Sequence, residues 1–242
     1  MSHEWEGDML KTFIAKLKTF LSGELGGWKW YEWGFLAFAT LAIAAISISL
    51  DDSAIGIVSS ITGVVCVVMT AKGKLLAYPF GVVNCVLYAY VSYLATYYGE
   101  TMLNLLYYLP LQFYGFAVWR KHIDSATCEL VRRRMTIENC VMTAMIMAIG
   151  VFVYGCVLTR MGDKMPFVDS FTTVASVVAM WISIKRYAEQ WVIWIAIDVM
   201  TIWMWYVNYS TGNANIATLL MWVVFLMNAV YGLAKWWKNS EN

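Results

Sequence analysis

Tyr187, Trp191, Trp194, Asp198, Thr201 and Trp205 follow one another at steps of 4, 3, 4, 3 and 4 residues. That spacing puts all six on one helical face. The face combines flat, amphipathic aromatic surfaces with one carboxylate, a set suited to stacking a heteroaromatic ring and balancing a cation. Amides form a second set. Asn84 shares a helical face with Gly81 and Tyr88, Gln112 with Asn104, Tyr108, Gly115 and Trp119, and Asn228 with Phe225 and Gly232. Because an amide both donates and accepts, it can read a carboxamide or sugar hydroxyls. A third face, Asp169, Thr173, Ser176, Met180 and Ser183, is a mild polar stripe suited to lining a path, with Trp181 placed to close it at one end.

Each set also has a plainer reading. Trp191 and Trp205 lie where interfacial aromatics gather, and Trp181 can equally face lipid. Asp198 can serve as a protonated donor between helices, and the amides as interhelical glue worth about 0.6 kcal/mol on average. Tyr114, Gly115, Tyr231 and Gly232 read as packing points, where glycine lets helices approach.

Other chemistries lack their parts. The two histidines, His3 and His122, lie outside the apolar runs, and Cys66, Cys85, Cys128, Cys140 and Cys156 contain no CxxC pair. The cysteines read as small hydrophobes, and no metal or cofactor site is expected. There is no G-x-x-x-x-G-K-[ST] loop for ATP and no Ser–His or His–Glu constellation, so the chain is not expected to be an enzyme. A proton or sodium relay would have little beyond Asp169 and Asp198 to use.

The elements that position these residues follow from composition. Of 242 residues, 61% are hydrophobic, 14% charged and 16% aromatic, and the mean hydropathy is +0.61. Soluble domains carry about 25% charged residues, so a soluble globular protein is excluded and the lipid bilayer is the expected surrounding. A net charge of +1 gives no reason to expect a nucleic-acid partner. Eight apolar runs are long enough to span a bilayer: 33–50, 54–71, 75–98, 101–119, 137–158, 167–184, 190–209 and 214–236. Polar breaks separate them at Asp51-Asp52, Lys72-Gly73-Lys74, Gly99-Glu100, 120–136, 159–166, Lys185-Arg186 and Thr211-Gly212-Asn213. Continuous rather than alternating apolarity argues against a β-barrel. Residues 10–21 have helical apolar spacing with lysines between, an amphipathic helix expected on the membrane surface. Acids and lysines precede the first long run, so no signal peptide is expected.

Basic residues orient the chain. With the N-terminus inside, 15 of the 17 lysines and arginines fall on the inner side, and only Arg160 and Lys164 fall outside. Both termini are therefore expected in the cytoplasm.

The segment Ser60–Lys121 can be laid on Thr173–Lys238. Lys72-Gly73-Lys74 falls on Lys185-Arg186-Tyr187, Asn84 on Asp198, and Tyr114-Gly115-x-x-x-Trp119 on Tyr231-Gly232-x-x-x-Trp236, at offsets of 113, 114 and 117. Gln112 and Asn228 differ by 116, so they should lie nearly across a pseudo-two-fold axis. Each copy has three spans. The span between them restores orientation, which makes the repeats parallel about an axis along the membrane normal. The expected fold is an all-α integral membrane protein of eight transmembrane helices, one extra helix plus a 3+1+3 repeat. Its parts are a cytoplasmic segment with the amphipathic helix (1–30), the extra helix (31–53), the first repeat (54–121), a linker with the connecting helix (122–166), and the second repeat with its tail (167–242).

Pro166-Phe167-x-Asp169-Ser170, Val178-Ala179-Met180 and Lys185-Arg186-Tyr187-x-Glu189-x-Trp191-x-x-Trp194 resemble the second half of the Pnu family of vitamin transporters. Gly81-x-x-Asn84 and Gln112-x-Tyr114-Gly115-x-x-x-Trp119 resemble its first half, so the likeness covers about residues 54–237. It implies a SWEET-like fold in a bacterial inner membrane and facilitated diffusion of nicotinamide riboside, whose pyridinium ring suits an aromatic face with one carboxylate. It also implies trapping by a cytoplasmic nicotinamide riboside kinase. Thiamine, riboflavin or a deoxynucleoside is the alternative cargo, and a ligand-sensing membrane receptor the alternative class. The expected substrate-binding residues are Gln112, Asn228, Asp198, Trp194, Trp191, Tyr187, Trp181, Asn84 and Tyr88. Ser176, Thr173, Met180, Ser183 and Tyr108 are expected to line the path. The family more often carries an amide where Asp198 stands. The extra span 33–50 could supply a homo-oligomer interface.

Overall fold

In a computed structural model, the chain is described over residues 2–49, 53–94, 101–124, 128–162, 165–210 and 216–241. Within these, the side chains of residues 2–10, 13, 92, 204, 205, 207–210, 216–220 and 241 are outside the description. The breaks expected at Asp51-Asp52, Gly99-Glu100 and Thr211-Gly212-Asn213, the residue Lys164 and the side chain of Trp205 therefore lie outside the described residues.

Among the described residues, the molecule is helical apart from one two-residue strand pair and two isolated bridges. Its helices are α1 (Ser2–Leu25), α2 (Trp30–Ser49), α3 (Ala54–Lys72), α4 (Ala77–Leu94), α5 (Leu109–Arg120), α6 (Ile137–Arg160), α7 (Pro166–Ile184), α8 (Gln190–Ser210) and α9 (Ile216–Lys238). A π-helical turn, Leu103–Tyr108, leads into α5. Among the described residues, α2, α3, α6 and α7 are long and apolar enough to cross a membrane, and α4 and α8 carry shorter apolar stretches, Ala77–Val91 and Gln190–Trp203. A helix satisfies its own backbone polar groups, which is why apolar runs of this length take that form in lipid.

Local signals set the ends. The Ser53 side chain accepts the Gly56 N–H at 3.1 Å to cap α3, and the Thr136 hydroxyl accepts the Asn139 N–H at 3.3 Å to cap α6. Proline stands in the first turn of α5 and of α7. α3 stops at Gly73, whose φ of 70° is the left-handed conformation that glycine adopts without a Cβ clash. At the equivalent point after α7, Arg186 takes a φ of 69°. The same turn is thus built twice, 113 residues apart.

α3 packs on α4, α7 on α8, and α8 on α9. α9 closes back onto α3, and α2 lies over that seam, where Ala39 and Ile43 meet Val64, Val68 and Phe225. α5 packs on α4 and touches α7 through a few side chains. Tyr107 donates its hydroxyl to the Val177 carbonyl at 2.7 Å, and Tyr114 stacks on Trp181 at 6.1 Å. α6 packs on α7 and buries little else; Val141, Met145, Ile149 and Phe152 are all exposed, a surface for lipid.

A buried aromatic cluster lies at the end that carries Lys72 and Lys185. Tyr78, Trp119, Trp191 and Trp236 form one buried cluster with Leu75 and Leu130. Trp119 donates its indole N–H to the Ser183 carbonyl at 3.2 Å, and Trp236 donates to the Ala71 carbonyl at 2.9 Å. One bond runs from the end of α5 to the end of α7, the other from the end of α9 to the end of α3. Gly115 sits under the Tyr78 ring and Gly232 under the Trp191 ring, where a Cβ on Gly232 would lie 2.7 Å from the indole. Each of these contacts has its counterpart at the position that the sequence offsets pair with it.

Candidate functional site

Every helix of the two aligned segments brings a polar side chain into the bundle interior. α3 supplies Ser59 and Thr62, α5 Gln112, α7 Ser176 and Ser183, α8 Asp198 and Thr201, and α9 Asn228, all buried. α4 adds the half-buried Asn84, and the π-helical turn before α5 adds the buried Asn104. The described side chains of α6 include no buried polar one. Burying polar groups in a lipid-embedded bundle is costly, and such groups mark pathways and binding sites.

Their partners divide them. Asn84 donates its side-chain N–H to the Ser59 carbonyl at 2.8 Å, tying α4 to α3. Asn228 donates to the Val67 carbonyl at 3.0 Å, tying α9 to α3, while its Oδ1 is buried without a partner among the described residues. Gln112 lies 3.9 Å from the Cys85 thiol through Nε2, a weak contact that leaves most of its hydrogen-bonding capacity unspent. Asp198 is 3% exposed and has no hydrogen-bond partner among the described residues. Ser59 Oγ is likewise buried and unpartnered. Asp198, Asn228 Oδ1 and Ser59 Oγ are thus interior polar groups for which a bound polar molecule would supply the missing partners.

The aromatic residues are placed differently. Trp191 is buried in the cluster with Trp236, its ring over Gly232 and its indole N–H unpartnered. Trp194 is half-buried and packs against both this cluster and the one around Ala175, Ala179 and Ile197. Tyr187 belongs to the turn before α8, bridged by backbone to Arg133, whose guanidinium lies 5.3 Å from the Tyr187 ring. Trp181 is 45% exposed, stacked with Tyr114 and with the Lys185 ammonium 5.0 Å from its ring. Tyr88, Tyr108, Thr173 and Met180 are all half-buried.

A second polar constellation, at the Lys72 end, was not read from the sequence as a unit. Lys72 is 1% exposed and pairs with Glu32 at 2.7 Å; Arg132 pairs with Glu129 at 2.9 Å; Lys235 bridges to Glu129 at 3.3 Å; and the Tyr231 hydroxyl donates to Glu32. Burial alone would raise the Glu129 carboxyl, but the Arg132 hydrogen bond and the Lys235 charge outweigh it and hold it below the ordinary carboxylate range. Burial pushes the Glu24 carboxyl up and the Lys74 ammonium down. A signal that could have pointed to it is Glu32, an acid at the mouth of an apolar run.

Among the described residues, cavities also lie apart from all of these predicted residues. One, about 500 Å³, is an apolar groove between α6 and α7, and another, about 760 Å³, is polar and lies among Gly26, Asp124, Glu129 and Asn239.

Comparison with known proteins bears on most of the chain. The family model described as nicotinamide mononucleotide transporter matches residues 53–238. A protein of Neisseria mucosa called nicotinamide riboside transporter PnuC is 39% identical over 88% of this chain and 83% of its own length. Its namesake in Haemophilus influenzae is 30% identical over 94% of this chain and 97% of its own. A crystal structure of the vitamin B3 transporter PnuC superposes with a TM-score of 0.81 at 38% identity, covering 91% of this chain and 96% of that one.

Proposed function

The chain belongs to the nicotinamide mononucleotide transporter family, and from that membership we propose that it carries nicotinamide riboside across the bacterial inner membrane by facilitated diffusion. Its relatives are named transporters, and transporters are not enzymes. The observation that carries the reading is the set of unspent polar groups inside an apolar bundle, above all Asp198, Asn228 Oδ1 and Gln112. A cationic pyridinium with a carboxamide and a ribose brings a charge for the carboxylate and donors and acceptors for the amides. Trp194 offers a ring for stacking beside Asp198, and Tyr88 and Asn84 face the same role from the other half. Ser176, Thr173, Met180, Ser183 and Tyr108 line the way through. Trp191, Tyr187 and Trp181 complete the set toward the Lys72 end, where Trp191 also serves packing.

In this reading eight helices span the membrane, α2 as the extra helix, α3 to α5 and α7 to α9 as parallel repeats, and α6 as the connector. The paired left-handed turns at Gly73 and Arg186 and the reciprocal tryptophan bonds support it. Both termini face the cytoplasm, on the strength of the basic residues. A reporter that is active only in the periplasm should stay silent when fused after Asn242, and activity there would reverse the topology.

Uniport only equilibrates the riboside, so net uptake depends on a cytoplasmic kinase that consumes it. Purified protein should bind nicotinamide riboside in preference to thiamine or riboflavin by calorimetric titration. Proteoliposomes lacking any kinase should bring internal riboside to the external concentration and no higher. Asp198→Asn should weaken binding and leave flux independent of a proton gradient. Accumulation driven by an imposed proton or sodium gradient would instead make the protein a pump and Asp198 its proton carrier.

A further inference from the structure

The segment between the two halves returns across the Lys72 end and is bonded to both. Leu130 donates its backbone N–H to the Gly73 carbonyl at 3.1 Å, and Arg132 donates Nη2 to the Lys72 carbonyl at 3.0 Å. On the other side Arg133 donates to the Arg186 carbonyl at 2.9 Å, its own carbonyl accepts from the Ala188 N–H at 2.9 Å, and Arg186 reaches the Val131 carbonyl at 2.9 Å. The two anchoring points, Gly73 and Arg186, are the repeat-equivalent left-handed turns at the ends of α3 and α7. Four residues thus tie together the two turns between which a route down the pseudo-two-fold axis must emerge.

Charge holds this segment in place. Glu129, just before it, pairs with Arg132 and Lys235, so one carboxylate joins the segment to the last helix of the second half. Lys72 lies 3.8 Å from the same carboxylate, and its pairing with Glu32 extends the network to α2. Arg132 also lies 5.5 Å from the Trp236 ring, against the buried aromatic cluster. The C-terminal residues Ser240–Glu241 add a parallel strand pairing to Arg132–Arg133.

We propose that Leu130–Arg133 is a strap across the cytoplasmic mouth and that the Glu129–Arg132–Lys235 cluster is its clasp, which must part for substrate to leave inward. The proposal rests on the transport reading above. The bonds are of a kind that can open and close. Glu129 and Lys235 side chains are 19% and 13% exposed, so water can take over their hydrogen bonds when the clasp parts. Backbone bonds at a loop near the interface are replaced by water in the same way, unlike those inside a spanning helix. Opening then moves one half away from the strap as a unit, a rigid-body step of the kind that paired domains make.

Ala188 reports on this directly, because it is fully buried and bonded to the strap through its own N–H. Ala188→Cys is placed in a chain whose five native cysteines are serine, and its reaction with a membrane-impermeant maleimide is timed in inverted membrane vesicles. Labelling should be slow in the parent. Glu129→Gln and Lys235→Gln, each removing one charge of the clasp, should speed it at least fivefold while nicotinamide riboside titrations stay within twofold of the parent. Adding riboside to both sides of vesicles with the clasp intact should speed labelling at least twofold, since exchange passes through the open state. Equal labelling in the parent and both clasp variants, with riboside binding intact, would overturn the strap, as would labelling indifferent to substrate during measured exchange. A parent protein that binds no riboside would strike the transport reading instead, and clasp-dependent labelling would then still show that the mouth opens.

Discussion

Trp236→Ala is expected to destabilise the folded protein by about 3–5 kcal/mol, the usual range for removing a large aromatic side chain from a packed core. Trp236 is wholly buried, 5.8 Å in ring centroids from both Trp119 and Trp191, and it bonds the Ala71 carbonyl across the two halves. The cavity would therefore open at the contact of three helices. Trp236→Phe keeps most of the ring and forfeits the hydrogen bond, so it should cost nearer 1 kcal/mol. Trp237, the next residue, is 48% exposed, and Trp237→Ala should change stability by no more than about 1 kcal/mol. Denaturant unfolding in detergent micelles, followed by tryptophan fluorescence, measures all three. A small effect at Trp236, or equal effects at 236 and 237, would mean that the cluster does not hold the halves together.

The second large effect concerns binding. Gln112→Ala and Asn228→Ala should each weaken nicotinamide riboside binding by about 1–3 kcal/mol, roughly 5- to 150-fold in Kd, by leaving a bound polar group unpaired. The two sites should differ in stability. Gln112 is bonded only weakly, to Cys85, so its truncation should scarcely move the unfolding midpoint. Asn228 also ties α9 to α3 through the Val67 carbonyl, so its truncation should lower that midpoint as well. Calorimetric titration of the folded variants decides the matter, and unchanged curves would remove both amides from the site.

Much of the architecture was legible in the chain because lipid imposes a local rule. A span must be long, apolar and helical, so runs such as 137–158 and 167–184 reappear as α6 and α7 within two residues. Gly73 marked its own turn, since a left-handed residue at a helix end favours glycine. Arg186 did not, because an arginine there is held by its neighbours rather than by its own preference. Within the two Tyr-Gly-x-x-x-Trp segments, the glycines expected as packing points do lie against rings, Gly115 under Tyr78 and Gly232 under Trp191.

Periodicity assigns a residue to a face of its helix, and nothing in it says what stands opposite. Trp191 and Asp198 share one face, yet Trp191 is clamped over Gly232 while Asp198 meets no hydrogen-bonding partner among the described residues. Asn84 and Asp198 occupy equivalent positions, but Ser59 offers a carbonyl to one of them only. The basic residues used to orient the chain were counted as loop charges. Packing buried Lys72 and Arg132; Arg132 pairs with Glu129 three residues before it, but Lys72 meets Glu32 and Lys235 meets Glu129 from separate segments of the chain. Such pairings depend on which helices meet and on the desolvation that follows, and those are decided when the halves close on one another, not by any local pattern.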